Sequence, residues 1–95
     1  MQLERDVESR LVKRAKSAGG RCIKLSSQHE EGLPDRLLLL PGGKAIFVET
    51  KRLTGIASPM QKYQHRSLRK LGFKVHVPYT VEDVEKIFAE EVVLE

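Results

Sequence analysis

The stretch GLPDRLLLLPGGKAIFVETK, residues 32–51, decides the fold of this chain. It holds two four-residue apolar runs, LLLL and AIFV, on either side of a Pro-Gly-Gly turn signal, and this pattern predicts a β-hairpin. Asp35 comes just before the first run and Glu49 directly after the second. Because the start of one antiparallel strand lies beside the end of its partner, we expect the two carboxylates to converge. Lys51 follows two residues after Glu49, so strand alternation places it on the same face.

Two carboxylates and an ammonium group at one sheet edge suit a hard divalent cation that acts on a phosphate. Gly-x-Pro-Asp before one strand, ending at Asp35, and Glu-x-Lys after the next, at residues 49–51, together resemble the core of the PD-(D/E)xK nucleases. Within that superfamily the chain is most similar to the small stand-alone VRR-NUC domains of phages and prophages, over about residues 4–77. The resemblance implies a restriction-endonuclease-like fold and a metal-dependent nuclease. The alternative is a surface hairpin whose ends carry solvated charges.

A first helix is predicted from Leu3 to Ala18, where Gly19-Gly20 ends it. Glu8 falls within the apolar arc of this helix, and Glu4 falls there one turn earlier. A carboxylate on the buried side needs a partner, because an isolated buried charge is costly. The resemblance implies that partner, since these nucleases carry a helix Glu that faces the metal site, and the spacing from Glu8 to Gly19 is similar to that of archaeal Holliday junction resolvases. A helix-start Glu stabilised by the helix dipole is the alternative, and it suits Glu4 better than Glu8.

Phosphodiester hydrolysis needs a water that is activated near neutral pH and a group that stabilises the developing negative charge. The resemblance implies that Mg²⁺, or Mn²⁺ in its place, is held by Asp35, Glu49 and the Thr50 carbonyl. Glu8 would hold one of the metal-bound waters or a second ion. Mg²⁺ usually takes one or two protein carboxylates and keeps several waters, so this ligand set is sufficient. Lys51 would orient the attacking water or stabilise the transition state.

Ser58-Pro59 predicts the start of a second helix, which ends at Gly72. Gln61, three residues after Ser58, has two interpretations: it completes a capping box, or it is the helix Gln that the resemblance implies, which orients a water or the scissile phosphate. We favour the second. The predicted apolar face of this helix consists of Met60, Tyr63, Leu68 and Leu71. The side chains expected to face solvent or phosphate are Lys62, Arg66, Arg69 and Lys70.

Two further strands are predicted at residues 21–25 and 73–77, and Thr80 begins a final helix that runs to about Glu90. The order α-β-β-β-α-β-α predicts an α/β fold, a mixed β-sheet flanked by helices, as in the restriction-endonuclease-like fold that the resemblance implies. At 95 residues the chain is expected to form a single nuclease domain, residues 1–95, with an acidic C-terminal helix and tail at residues 80–95.

Charge divides the chain into a basic body and an acidic end. Residues 1–81 hold 16 Lys or Arg and 7 Asp or Glu, whereas residues 82–95 hold 1 and 6. A basic body beside a metal site predicts nucleic acid as the partner. Lys24 and Ser26, at the end of the first strand, could contact phosphate or simply be solvated. The full set of candidate nucleic-acid contacts is Lys24, Ser26, Arg52, Lys62, Arg66, Arg69 and Lys70.

The resemblance implies a structure-selective DNA endonuclease that acts as a homodimer, since two symmetric sites suit symmetric cuts in branched DNA such as a four-way (Holliday) junction. A flap or non-specific nuclease is the closest alternative, and a non-catalytic nucleic-acid-binding module is the chief rival. No apolar run approaches the ~20 residues of a membrane span, and the N-terminus has no apolar signal segment. We therefore expect no membrane association and a cytoplasmic location, in the host cell if the chain is phage-encoded.

Overall fold

The computed structural model describes residues 3–26, 30–50 and 55–92. Its elements are α1 (Glu4–Ser17), β1 (Arg21–Lys24), β2 (Arg36–Leu40), β3 (Lys44–Val48), α2 (Pro59–Lys70), β4 (Lys74–His76) and α3 (Val81–Glu91). The predicted order α-β-β-β-α-β-α and the α/β class are therefore confirmed. Within these ranges, no helix has both the length and the apolar character needed to cross a membrane.

The four strands form one mixed sheet in the order β1-β2-β3-β4. β1, β2 and β3 are antiparallel neighbours, whereas β4 runs parallel to β3, so the chain crosses over through α2 between them. The predicted hairpin pairs Arg36 with Val48 at one end and Leu40 with Lys44 at the other. Its turn places Gly42 and Gly43 at φ +88° and +78°, where a residue with a Cβ is strained.

One face of the sheet carries the hydrophobic core. Strand alternation directs Leu38 and Leu40 of β2 and Ile46 and Val48 of β3 to this face. These side chains pack against the buried residues of α1 and α3, which are Val7, Leu11, Ala15, Val84, Ile87 and Phe88. Burying one such side chain contributes about 1.5–3 kcal/mol, so this layer is the main source of stability in the described part of the chain.

The opposite face is less completely covered, and Phe47 there packs edge-to-face on Phe73 at a centroid distance of 5.6 Å. α2 contacts β4. The predicted apolar face of α2 is wrong, because Tyr63 is 55% exposed and Leu71 is 72% exposed. The helix instead buries Gln64 and His65. The physical reason is that polar groups lie beneath the helix and require polar partners. Gln64 bonds the backbone before Asp35, and His65 faces the Glu49 carboxylate.

Candidate active site

Asp35 and Glu49 lie at the same edge of the sheet. Arg36 is paired with Val48, so one further step of the same register sets residue 35 opposite residue 49. The backbone on both sides is held by neighbouring strands: Leu25 N donates to Asp35 O at 2.8 Å, and Glu49 N donates to His76 O at 2.9 Å. Since all four strands contribute to this edge, the backbone positions of the two acidic residues are fixed by the sheet itself.

Thr50 brings Asp35 and Glu8 together. Its backbone N donates to Asp35 Oδ1 at 3.1 Å. Its hydroxyl Oγ1 lies 2.9 Å from Asp35 Oδ2 and 3.2 Å from Glu8 Oε1, and the residue is 1% exposed. A hydroxyl has one proton to donate, so it satisfies one of these two carboxylates at a time. The predicted convergence of a helix carboxylate on the hairpin edge is thus present, with a buried threonine side chain as the link.

The cluster of Glu8, Asp35 and Thr50 has more acceptors than donors. Arg36 supplies a positive charge, but its Nη2 lies 4.0 Å from Glu8 Oε2, at the outer limit of an ion pair. Carboxylate, carbonyl and hydroxyl oxygens are hard ligands, and a donor set of this kind fits Mg²⁺ or Mn²⁺ rather than a softer metal. Two partly buried carboxylates that share one hydroxyl proton would also be stabilised by a cation between them.

Glu49 turns toward α2. Its Oε1 lies 3.6 Å from Nε2 of His65, and each residue is 5% exposed. Glu8, Asp35 and Glu49 do not form a tight group of metal ligands. Among the described residues, three acidic or histidine side chains with ligand atoms all within 4.8 Å of one another occur elsewhere in the structure. The structure therefore brings Glu8 and Asp35 into contact with Thr50, and it turns the Glu49 carboxylate toward the imidazole of His65.

That other group consists of His76, Glu90 and Glu91. Glu91 is 2% exposed, and its carboxylate accepts a hydrogen bond from the Lys74 ammonium. The same hydrogen bond raises the pKa of Lys74, so the lysine stays charged and neutralises Glu91. The group could bind a metal, but its buried carboxylate already has a cationic partner.

Gln61 makes the reciprocal bonds of a capping box. Its backbone N donates to Ser58 Oγ at 3.2 Å, and its side-chain Oε1 accepts from Ser58 N at 2.9 Å. In this arrangement the amide serves the start of α2, which is the first of its two interpretations. Lys51 and Arg52, the predicted catalytic lysine and its basic neighbour, lie outside the described residues.

The other candidate nucleic-acid contacts are exposed. Lys24 and Ser26 lie at and just beyond the end of β1, near the edge that carries Asp35. Arg69 donates from Nη2 to Val75 O at 2.7 Å, so this side chain also fastens α2 to β4. Tyr63 shares a shallow groove on α2 with three of the cations. The α2 cations exposed to solvent are Lys62, Arg66, Arg69 and Lys70.

Sequence reasoning missed two buried polar residues of α2. Gln64 donates from Nε2 to Glu31 O at 3.0 Å and to Glu30 Oε2 at 3.2 Å, and thereby holds the loop that leads to Asp35. His65 is the residue beside Glu49. A signal was available, because positions 64 and 65 follow Gln61 by three and four residues and so share its helix face.

Comparisons with known proteins identify the family. No family model matches the chain. The chain is 40% identical over 74 residues to "Putative nuclease p44" of Acyrthosiphon pisum secondary endosymbiont phage 1, a match that spans 78% of this chain and 80% of that protein. A solved structure described as "VRR_NUC domain" superimposes with a TM-score of 0.84 at 33% identity and covers 95% of this chain and 97% of its own. The chain belongs to the VRR-NUC nuclease family.

The VRR-NUC assignment confirms the resemblance found in the hairpin motifs and the fold expected from it. A second structure, described as "VRR_NUC domain protein", has a TM-score of 0.76 at 19% identity and covers 97% of this chain and 90% of its own. At that identity it supports the fold alone. This VRR-NUC chain therefore combines a nuclease fold with two carboxylates that meet at a buried threonine, at one end of its strands.

Proposed function

We propose that this chain is a divalent-metal-dependent DNA endonuclease that cuts branched DNA, such as four-way junctions, as a homodimer. The observation that carries the proposal is the convergence of Glu8 and Asp35 on the Thr50 hydroxyl, beside Glu49. The two converging carboxylates, together with Glu49 next to Thr50 in the chain, would make an oxygen-rich site suited to a hard cation near a phosphodiester.

The chain's own residues divide the work in this proposal. Asp35, Glu49 and the Thr50 carbonyl would hold Mg²⁺ or Mn²⁺, and Glu8 would orient a water at the same edge. When bound, the cation supplies positive charge against the phosphate and acidifies a coordinated water. Lys51 would orient the attacking water or stabilise the negative charge that develops on the phosphate. Gln61 would orient a water or the phosphate if its side chain leaves Ser58 when DNA binds.

The DNA duplex would lie across α2 and the end of β1. Lys62, Arg66 and Lys70 are exposed along one helix and would neutralise backbone phosphates. Lys24, Ser26 and Arg52 would contact the strand nearest the site. Contacts of this kind position the duplex without reading its sequence, which agrees with selection by DNA structure rather than by base order.

Exposed apolar side chains support a homodimer. Leu71 is 72% exposed and Phe73, two residues later, is 42% exposed, and neighbouring large apolar residues left in water often belong to an interface. A second copy of the chain would cover part of this surface. Sedimentation velocity in the absence of DNA tests this directly, and a monomer at micromolar concentration would remove the two-site argument for four-way junctions.

The decisive experiment incubates pure protein with end-labelled duplex, flap and four-way-junction DNA in Mg²⁺, Mn²⁺ or EDTA. We expect cleavage of branched DNA with either metal and none in EDTA, and we expect Asp35→Asn and Glu49→Gln to bind DNA without cutting it. Cutting that persists in EDTA would exclude the metal mechanism. Equal cutting of all three substrates would indicate a non-specific nuclease. Cutting of the flap alone would indicate a flap nuclease, and tight binding without cutting would indicate a binding module.

A further inference from the structure

α2 buries polar side chains and exposes large apolar ones, which is the reverse of the usual arrangement. Gln64 is 9% exposed and His65 is 5% exposed, whereas Tyr63 on the same helix is 55% exposed. Burying polar groups costs free energy unless they make specific contacts, so local departures from the pattern expected of a stable helix often mark functional positions.

His65 lies against the carboxylate of Glu49. Nε2 is 3.6 Å from Glu49 Oε1, which is a few tenths of an ångström beyond hydrogen-bond range, so a small rotation of either side chain completes the bond. Hydrogen bonds of this kind in ligand-free sites are often long and shorten when the site is occupied. The Glu49 backbone N donates to His76 O, so the main chain of this residue is held in place by the neighbouring strand β4.

We propose that His65 is a positioning residue for Glu49. Its Nε2–H holds Oε1 of the carboxylate, which leaves Oε2 to face the edge where Asp35 and Thr50 lie. Gln64 performs the related task for the other side of the site, because its amide holds the loop before Asp35. α2 is thereby the element that sets the separation of the two hairpin carboxylates.

The proposal rests on the proposed function and adds a residue that neither the hairpin motifs nor the basic helix face includes. It does not require His65 to touch DNA or metal. It requires a donor at the place of Nε2, because a carboxylate ligand that is hydrogen-bonded through one oxygen presents the other in a fixed direction. A histidine that only fills space in the interior would be replaceable by any side chain of similar size.

Two amide substitutions separate these possibilities. In His65→Gln the amide nitrogen reaches the position of Nε2, whereas in His65→Asn it reaches only the position of Nδ1. We expect His65→Asn to lower the single-turnover cleavage rate at limiting Mn²⁺ by about 10-fold, on the order of 1.4 kcal/mol, and to raise the Mn²⁺ concentration that gives half the maximal rate. His65→Gln should recover most of that rate. DNA affinity in EDTA should be the same for wild type and both variants.

His65→Leu serves as a filler of similar size without a donor, and it should behave like the Asn variant. Equal cleavage by wild type and His65→Asn across the Mn²⁺ range would overturn the positioning role, as would a Gln variant no better than Asn. Failure of wild type to cut any DNA would count against the proposed function instead. Calorimetric measurement of Mn²⁺ binding then decides whether His65 positions Glu49. We expect weaker Mn²⁺ binding by His65→Asn and unchanged binding by His65→Gln. Unchanged binding by His65→Asn, or no binding by wild type, would overturn the positioning role.

Discussion

A single threonine hydroxyl connects the first helix of the chain to its hairpin. Thr50 is almost fully buried, and its Oγ1 lies within hydrogen-bond distance of two carboxylates. In the interior, a carboxylate that lacks a proton donor or a cation is costly. Among the residues that the structure describes, Glu8 and Asp35 therefore meet at a point with more carboxylate oxygens than hydrogen-bond donors, as the proposed metal site requires.

Glu8→Gln tests the helix carboxylate. We expect cleavage to fall at least ~10-fold, about 1.4 kcal/mol of transition-state stabilisation. Stability should hold or rise, because one of two neighbouring negative charges is removed. The measurement is single-turnover cleavage of a four-way junction, paired with thermal unfolding.

Glu4→Gln is the matched control, since it makes the same change one turn earlier on α1. It should cost much less activity. Equal cleavage by the Glu8 variant and wild type at every Mg²⁺ concentration would mean that Glu8 is structural.

At the scale of elements, the loop before Asp35 lies close against the start of α2 at Gly32. A Cβ on Gly32 would lie 2.6 Å from the Met60 carbonyl oxygen, and Gln64 bonds the neighbouring backbone. The loop, the helix start and the buried amide therefore form one packed unit that positions a site residue.

Gly32→Ala should disrupt this unit. The backbone there has φ +82°, so alanine meets both an unfavourable conformation and a clash with the helix backbone. We expect a loss of about 2–4 kcal/mol in the free energy of unfolding, measured by urea denaturation. Gly43→Ala is the control, because φ is +78° there and no atom lies within 4 Å of the added Cβ. It should cost about 1 kcal/mol from backbone strain alone. Similar losses in both variants would show that the contact with α2 contributes nothing.

α3 begins with a capping box that makes stability depend on pH. Asp83 accepts hydrogen bonds from the backbone N–H groups of Tyr79 and Thr80, and these bonds hold the pKa of its carboxyl below its usual range. A lowered pKa in the folded state means that the charged carboxylate stabilises the fold at neutral pH, and that this contribution disappears as pH falls through the lowered value.

Asp83→Asn should therefore be less stable than wild type at pH 7, and the difference should shrink in acid, as measured by urea unfolding between about pH 2 and pH 7. Thr80→Ala provides the comparison. It removes the reciprocal bond from Asp83 N to Thr80 Oγ1 and should cost about 1 kcal/mol of stability at neutral pH. A pH-independent difference for Asp83→Asn would mean that its charge is irrelevant to the cap.

The sequence predicted the elements well because their ends carry strong local signals. The Pro-Gly-Gly turn, Ser58-Pro59 and Thr80 mark boundaries that depend on neighbouring residues alone. The buried face of α2 could not be predicted in this way, since it depends on what the sheet presents beneath the helix. The sequence predicted a role for the Thr50 carbonyl alone. The contacts of its hydroxyl with Glu8 and Asp35 depend on how α1 packs against the hairpin, which no local sequence signal reveals.

For the whole molecule, the chain has a net charge of +4 despite its acidic end. Cations grouped on one helix neutralise phosphates and release the counterions that surround DNA, so binding weakens as salt rises. The position of the cations, and not merely their number, should then determine the salt dependence.

Replacing Arg66 and Lys70 together by alanine should reduce the slope of log affinity against log salt by about 2, roughly one for each phosphate contact. The measurement is fluorescence anisotropy of a labelled junction at several salt concentrations, in EDTA to prevent cutting. Lys13→Ala with Lys16→Ala removes the same charge from exposed positions of α1. If that control changes the slope equally, the DNA does not lie on α2.

The hydrogen bond between Glu8 and Thr50 joins residues 42 positions apart. A growing chain that has just left the ribosome with its first helix complete has no active centre, and neither does a fragment that ends within the hairpin. Contacts so distant in sequence form late, after the intervening chain is ordered. Nascent chains and fragments that end within the hairpin should consequently be harmless to DNA, and cleavage itself would serve as an assay for complete folding.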